Sequence, residues 1–307
     1  MNQSLEQIRQ VQLKPGIYPR FDWYTAVWHD ATIDQVFEFY NVDLAFEGSI
    51  LLDDLRSQFF GGLPTLNIEV EPGVRLFITK FYVDMLDCDT FDQIRSQIIP
   101  QIRFDVSGMG LATMEPSRAY SICRKALPDC AHITRADVAF DLVDLDENLM
   151  QDFHDFLCAD GSLSPANRLM CYGQTGGYTQ SLKWGNKSKE ILIGAPSSDR
   201  MLKFYDKKLQ YTSDNGTFNP PDHYAQFQNV EKWTRIEWRL RKDDAHEIVY
   251  ETGDHDNVGF FNSVLKRIYF DYQIRDGRRS TGFVADFWRN LFDWNNLPDI
   301  ILNFDLV

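Results

Sequence analysis

Residues 133 to 144 read ITRADVAFDLVD. The apolar and β-branched residues Ile133, Val138, Phe140 and Leu142 favour a strand, and a strand sends alternate side chains to opposite faces. Thr134, Ala136, Val138, Phe140 and Leu142 then share one face, a set suited to a core. Ile133, Arg135, Asp137, Ala139 and Asp141 share the other, so two carboxylates and a guanidinium point the same way. Two further strands repeat this division. In RMLKFYDKK (200–208), Met201, Lys203, Tyr205 and Lys207 oppose Leu202, Phe204 and Asp206. In TRIEWRL (234–240), Arg235, Glu237 and Arg239 oppose Ile236, Trp238 and Leu240.

Set side by side, the polar faces offer Asp137, Asp141 and Glu237 as three acidic oxygen ligands, a set suited to a hard cation such as Mg²⁺ or Mn²⁺. They also place Tyr205 among Arg135, Lys203, Lys207, Arg235 and Arg239. A tyrosine among cations suits a nucleophile that attacks a phosphodiester: basic groups offset the developing charge, and the phenolate forms the covalent link. A free phenol titrates near pH 10, so a neighbour must take its proton or lower its pKa (roughly 10 unperturbed). The competing reading is an outer sheet face laced with cross-strand ion pairs, such as Asp137 with Arg235.

Working outward, RFDWYTAVWHD reads as a strand and TIDQVFEFYNV as an amphipathic helix capped by Thr32. TLNIEV and VRLFITKFYV read as strands joined at the turn EPG. TFDQIRSQIIPQI (90–102) has helical spacing up to its proline, and RFDVSGMGLATM (103–114) reads as a strand broken by Gly108 and Gly110. PSRAYSICRKALP is a helix bounded by Pro116 and Pro128, and DENLMQDFHDFLCA another. GQTGGYTQSLKWGNKS reads as a loop or hairpin, EILIGAP and RMLKFYDKK as paired strands, and SDNGTFNPPDHY as a polar, mobile connection. After WTRIEWRLRK the chain reads mainly as helices to about residue 295. Strands and helices mix without a βαβ rhythm, which predicts an α+β fold with mostly antiparallel sheet, one polar active-site face, packing helices and a helical C-terminal part. The expected division is a loose segment 1–20, a main domain 21–250 with a sub-boundary near 130, and a helical part 251–307.

The 307 residues, 44% hydrophobic, are ample for a buried core. No stretch approaches the roughly 20 apolar residues of a membrane span, and the polar start MNQSLEQIRQVQLKPG is unlike a secretory signal. Five cysteines without CxxC spacing suit reduced thiols, and the expected location is the cytoplasm. A net charge of −14 argues against a general affinity for nucleic acid, but its distribution is uneven. Residues 183–242 hold twelve Lys or Arg against seven Asp or Glu, a local +5 within a chain whose remainder is −19.

Five segments in order resemble those of the replication initiation factor family, the initiators of rolling-circle plasmid replication and related mobile-element relaxases. FDWYTAVW (21–28) resembles the family's Asp-Trp strand, and RFDVSGMGL (103–111) its Ser-Gly-x-Gly strand. ITRADVAFD (133–141) resembles its Thr-Arg-x-Asp-x-Ala-x-Asp strand. ILIGAPSSDRMLKFYDKKLQ (191–210) resembles the segment that carries its tyrosine, and WTRIEWRLR (233–241) its Trp-x-Arg-x-Glu strand. One departure is Gly194-Ala195-Pro196, where the family more often has Gly-Ser and a basic residue.

The resemblance implies an enzyme that nicks one strand of double-stranded origin DNA, keeps the 5′ phosphate on a tyrosine and leaves a free 3′-OH. By motif position the nucleophile falls on Tyr205, with Lys207 and Arg235 as catalytic partners. The metal positions fall on Asp137, Asp141 and Glu237, with Mg²⁺ or Mn²⁺ as the cofactor. Arg135, Ser198, Arg200, Lys203, Lys208 and Arg239 are expected to contact DNA, as are Arg278 and Arg279 of the basic loop RDGRRS (275–280), which otherwise reads as a solvated turn. Expected partners are the origin duplex, the nicked single strand and a separate helicase, since no GxxxxGK[ST] loop is present. The aromatic C-terminal helices read as core or as a homodimer surface, and the C-terminal part as the place for origin recognition. The alternatives are a conjugative relaxase acting at oriT, or a catalytically silent DNA-binding protein on the same fold. None of the six histidines forms an HxH or HxxxH pair.

Overall fold

In the computed structural model the residues described are 5–10, 12–42, 59–60, 63–79, 98–99, 101–145, 149–158, 180–184, 188–195, 197–251, 256–272, 275–276, 283–284, 286–292 and 300–302. The chain divides into two compact units, one of Phe21–Asp137 with Arg241–Glu251, the other of Met1–Arg20, Val138–Leu240 and Thr252–Val307. The divisions fall inside strands, so β1 (Gly16–Trp28), β8 (Ala131–Val143) and β12 (Trp233–Arg241) each contribute to both.

The first unit is an antiparallel sheet with helices. Its other strands are β3 (Phe59–Phe60), β4 (Leu63–Glu71), β5 (Val74–Thr79) and β7 (Gln101–Val106), in the order β3-β4-β5-β7-β1-β8. Two short strands, β2 (Ala31–Thr32) and β6 (Ile98–Ile99), pair separately. The inner face is apolar by alternation: Tyr24, Ala26 and Trp28 of β1, Val74, Leu76 and Ile78 of β5, and Ile102, Phe104 and Val106 of β7 are all buried. Helix Ile33–Tyr40 adds Val36, Phe37 and Tyr40 to this core, and Tyr40 stacks on Phe104. That helix starts where a capping box allows, with Thr32 Oγ1 accepting from the Gln35 N–H at 3.2 Å and Gln35 Oε1 from the Thr32 N–H at 2.8 Å.

Residues 103–114 differ from the strand expected of them. β7 ends at Val106, and Gly108–Thr113 is a short helix whose N-cap Ser107 accepts from the Gly110 N–H at 3.2 Å. The glycines serve a close crossing rather than a broken strand. A Cβ on Gly73, which sits at φ +78°, would lie 2.6 Å from Gly110 Cα, and one on Gly110 would lie 2.9 Å from the Gly73 carbonyl carbon. The helical spacing of 90–102 also gives way at its end, where 98–99 and 101–102 are strand.

The second unit continues with strand order β8-β12-β11-β10-β9, where β9 is Gln180–Trp184, β10 Lys189–Ile193 and β11 Arg200–Asp206. The β9–β10, β10–β11 and β11–β12 pairs are antiparallel, in keeping with the α+β class. Helix Leu149–Cys158 places Phe153 edge-on against Phe204 of β11, and Trp288 of helix Asp286–Leu291 packs on the same ring. Helix Asn257–Asp271 buries Phe260, Phe261, Val264, Leu265 and Ile268, one face at helical spacing. Phe260 and Phe261 thus serve as core, whereas Phe270 of the same helix is exposed. Two-residue strands β13 (Arg275–Asp276) and β14 (Phe283–Val284) pair with each other within the C-terminal part. The polar run 213–224 is built rather than loose: Ser213 and Thr217 close a turn, and a 3-10 helix spans Asp222–Phe227.

Candidate active site

β11 and β12 pair so that Tyr205 lies opposite Arg235 and Lys203 opposite Glu237. Period-two alternation then sets Tyr205, Lys203, Arg235 and Glu237 on one face, as the sequence implied. That face is buried: Tyr205 is 6% exposed, Glu237 7%, Lys207 5% and Arg235 1%. The Tyr205 hydroxyl donates to Glu237 Oε2 at 3.2 Å and accepts from Lys207 Nζ at 3.4 Å. Lys203 Nζ stands 4.2 Å from the centroid of the same ring. The phenol therefore has a proton acceptor on one side and two ammonium groups near it, the neighbours that suit a tyrosine nucleophile. Lys207 owes its place to Asp206, whose carboxylate accepts from the Leu209 N–H at 2.8 Å, ends β11 and opens the turn of helix Lys207–Gln210.

Behind this pair lies a denser cluster. Asp141, fully buried, accepts at Oδ1 from Trp233 Nε1 and Arg235 Nε, both at 2.6 Å, and at Oδ2 from Arg235 Nη2 at 2.9 Å. Arg20 Nε stands 3.1 Å from the same Oδ2. Burial pushes the Asp141 carboxyl up, but the Arg235 and Arg20 guanidiniums and the hydrogen bonds outweigh it and hold the group below its ordinary value. Arg235 Nη1 also donates to the Tyr224 hydroxyl at 3.1 Å. The Tyr224 ring has Arg20 at 4.9 Å, Arg235 at 5.1 Å and Lys207 at 5.2 Å from its centroid.

Three buried cations thus surround one ring. The neighbouring His223 registers them: burial lowers its pKa first, and repulsion from Arg20, Lys207 and Arg235 lowers it further against a smaller opposing pull from Asp222. Arg20 Nη2 is buried with no hydrogen-bond partner among the described residues.

The three carboxylates expected to share a cation have separate partners. Asp141 is the counter-ion of two arginines, and Glu237 accepts from Tyr205. Asp137, in the other unit, takes both Nε and Nη2 of Arg135, at 2.9 and 2.5 Å. Among the described residues no group of three or more His, Cys, Asp or Glu side chains is placed to hold a metal ion. The physical reason is that guanidiniums and an indole N–H already occupy the oxygens of both aspartates.

The expected DNA contacts divide likewise. Lys203 pairs with Glu190 at 2.9 Å, and Arg239 stands 3.9 Å from Glu237 Oε1. Arg200 pairs with Asp271 at 3.1 Å. The Ser198 hydroxyl lies 2.6 Å from the carbonyls of Ala195 and Arg200, closing the turn in which Gly194 takes φ +101°. Lys208 donates to the carbonyls of Val230 and Glu231 at 2.8 and 2.9 Å, so its ammonium ties helix Lys207–Gln210 to the loop before β12. Arg278 and Arg279 lie outside the described residues. Arg20, Tyr224 and Trp233 were missed. Arg20 left one signal, a charge inside the apolar and aromatic run IYPRFDWY.

A family model described as replication initiation factor matches residues 131–297. Among solved structures the chain is similar to a rolling circle replication initiator protein from Geobacillus stearothermophilus, with 18% identity, a TM-score of 0.56, and coverage of 92% of this chain and 98% of that one. At that identity the likeness is one of fold. No curated protein matches the chain.

Proposed function

Because the chain belongs to the replication initiation factor family, we propose that it starts rolling-circle replication of a plasmid or mobile element by nicking one strand at the origin, with Tyr205 as nucleophile. The observation that carries this reading is the buried Tyr205 hydroxyl held between Glu237 and Lys207, beside the cation cluster of Arg20, Lys207 and Arg235.

The Tyr205 oxygen attacks the phosphorus as its proton passes to Glu237 Oε2. The bond to the 3′ oxygen breaks, that oxygen takes up a proton, and a 3′-OH and a 5′-phosphotyrosyl link result. Lys207 and the arginines offset the charge that grows on the phosphate oxygens. The phosphodiester's energy is retained in the tyrosyl link, so resealing is the reverse attack by a 3′-OH. The Lys207 ammonium also stands 5.0 Å from the centroid of Tyr211, one of the residues that line a hollow of about 510 Å³ with Thr212, Ser213 and Asn215.

The resemblance implies a divalent metal, Mg²⁺ or Mn²⁺. The carboxylates as arranged do not fit it, since Asp141 and Asp137 are held by arginines. Unwinding from the nick would fall to a separate helicase. No helix among the described residues is long and apolar enough to cross a membrane.

The test is supercoiled DNA carrying the native flanking region, with Mg²⁺, Mn²⁺ or EDTA, and the wild type beside Tyr205→Phe. Expected are open circles and a 5′ adduct mapped to Tyr205, both absent in the variant. An adduct on another tyrosine would remove Tyr205 from the role. Tight origin binding by both proteins with no nick from either would make the chain a silent DNA-binding protein. Cleavage confined to a transfer origin would make it a relaxase.

A further inference from the structure

Within the unit of residues 21–137 and 241–251, helix Lys242–Glu251 is fastened to the start of β8 by a column of three rings that shares no residue with the candidate active site. His132 of β8 stacks on His246 with centroids 4.2 Å and planes 18° apart, and His246 stacks on Tyr250 at 4.2 Å and 22°. The second contact follows from the helix itself, where residues four apart lie on one face. The backbone holds the column at two points. His246 Nδ1 accepts from the Ile133 N–H at 3.3 Å, and the Tyr250 hydroxyl accepts from the Leu127 N–H at 2.5 Å and donates to the Leu127 carbonyl at 3.1 Å.

The bond to Ile133 fixes the state of His246. Nδ1 has to offer a lone pair, so the ring is neutral with its proton on Nε2; an imidazolium would turn an N–H toward the Ile133 N–H. A charge on His132 as well, face to face at 4.2 Å, would add repulsion. Burial first, and then repulsion from His132, lowers the His246 pKa against smaller opposing pulls from Asp243 and Glu247 of its own helix. Asp243 stands 3.7 Å from His132 Nε2 but is 91% exposed, so water screens it. Burial holds the Tyr250 phenol up, with a smaller push from Asp129, so that ring stays neutral. Helix Pro116–Arg124, packed on the same helix, brings Arg118, bound to Glu71 at 2.5 Å, Arg124, and the Cys123 thiol, whose pKa burial pushes up.

The start of the helix is strained. β12 runs into it without a break, and Lys242 takes φ +52°, a left-handed conformation that a lysine keeps only where surrounding contacts hold it. The ring column supplies such contacts, together with the buried Ala245, Ile248 and Val249.

We propose that helix Lys242–Glu251 is a pH-sensitive latch on the end of β12, docked on β8 while His246 is neutral and loosened when the stacked histidines take up protons. It does not rest on the nicking reading. The ordinary histidine value is 6.5 and the folded one of His246 lies below it, so the opened helix takes its proton first. The latch therefore has full strength above pH 6.5 and weakens as pH falls toward the folded value. Each pH unit in that window raises the open population by up to about tenfold per proton taken up.

The experiment is hydrogen exchange of the full chain between about pH 7.5 and 5.5, corrected for the intrinsic exchange rate and read on helix 242–251 and on the Ile133 amide. Wild-type protection there should fall by roughly fivefold or more, while strand Val74–Thr79 of the same unit changes by less than about twofold. In His246→Asn the side-chain carbonyl can accept from the Ile133 N–H without titrating, so protection should hold constant across the range. His132→Gln should show a smaller fall than the wild type, since the facing charge is gone. Circular dichroism checks that each variant folds. Wild-type protection in the helix as constant as in Val74–Thr79, or the full wild-type fall kept in His246→Asn, would overturn the latch. If His246→Asn leaves the helix unprotected at both pH values, His132→Gln carries the test, and a fall equal to that of the wild type overturns it.

Discussion

Asp141→Asn separates two roles for this carboxylate by the sign of its effect. The substitution keeps shape and one acceptor oxygen but removes the charge facing Arg235 at 2.6 and 2.9 Å and Arg20 at 3.1 Å. Each such pair is worth about 4 kcal/mol of gross attraction at an effective dielectric near 20, largely cancelled by desolvation. What the variant exposes is the residue of that cancellation: two guanidiniums buried without their anion, a loss of about 3–5 kcal/mol. For a folding unit of this size the melting temperature falls by on the order of 10 °C. The assay is thermal unfolding by circular dichroism near neutral pH with EDTA present. A carboxylate kept for a metal would behave the opposite way, because neutralising one of several repelling carboxylates in the metal-free protein leaves the melting temperature unchanged or raises it. The pH dependence has a fixed sign as well. The folded pKa of Asp141 is depressed below 3.8, so its contribution is complete above that value and is lost as pH falls through the lower folded one. The gap between wild type and variant should therefore close only in strong acid. Adding Arg235→Gln should recover part of the loss, since it removes one of the stranded charges. A well-folded Asp141→Asn protein that melts at or above the wild-type temperature in EDTA would refute the counter-ion role.

Two further outcomes follow from the same charges. Lys208→Ala removes charge-assisted bonds to the Val230 and Glu231 carbonyls and should cost about 1.5–3 kcal/mol of stability, while the salt slope of binding to random duplex DNA stays unchanged; a slope reduced by about one would return Lys208 to phosphate contact. His223 has a folded pKa below its ordinary 6.5, so the unfolded chain binds its proton first and the stability of the wild type should decline as pH falls below 6.5; in His223→Gln that part of the melting-temperature slope should flatten, and an unchanged slope would remove the three cations as its neighbours.

Much of the fold was legible because alternation and capping act over a few residues. The cap at Thr32, the helix from Pro116 and the two-faced strands at 133, 200 and 234 all depend on neighbours in sequence. The misreading of 103–114 has the opposite cause. Gly108 and Gly110 looked like interruptions of a strand, yet what they accommodate is the approach of distant backbone, Asp22 at Gly108 and Gly73 at Gly110, each more than thirty residues away, and a distant backbone leaves no local trace. The helical spacing of 90–102 failed at its end for a similar reason, since 98–99 and 101–102 take their geometry from strand partners rather than from their own period.

For the site, residue types were legible and pairings were not. A carboxylate on a polar strand face reads equally as a metal ligand or as a counter-ion, because alternation sets the direction of a side chain but not what meets it. Arg20 decides the case for Asp141. It enters on β1 from the far end of the sequence, shares the carboxylate with Arg235, and shares the Tyr224 ring with Arg235 and Lys207. Arg20, Arg235 and Lys207 thus gather on one ring, with Asp141 the counter-ion of the two arginines. In this arrangement Asp141 stabilises the folded protein, and its loss should appear in stability before it appears in chemistry.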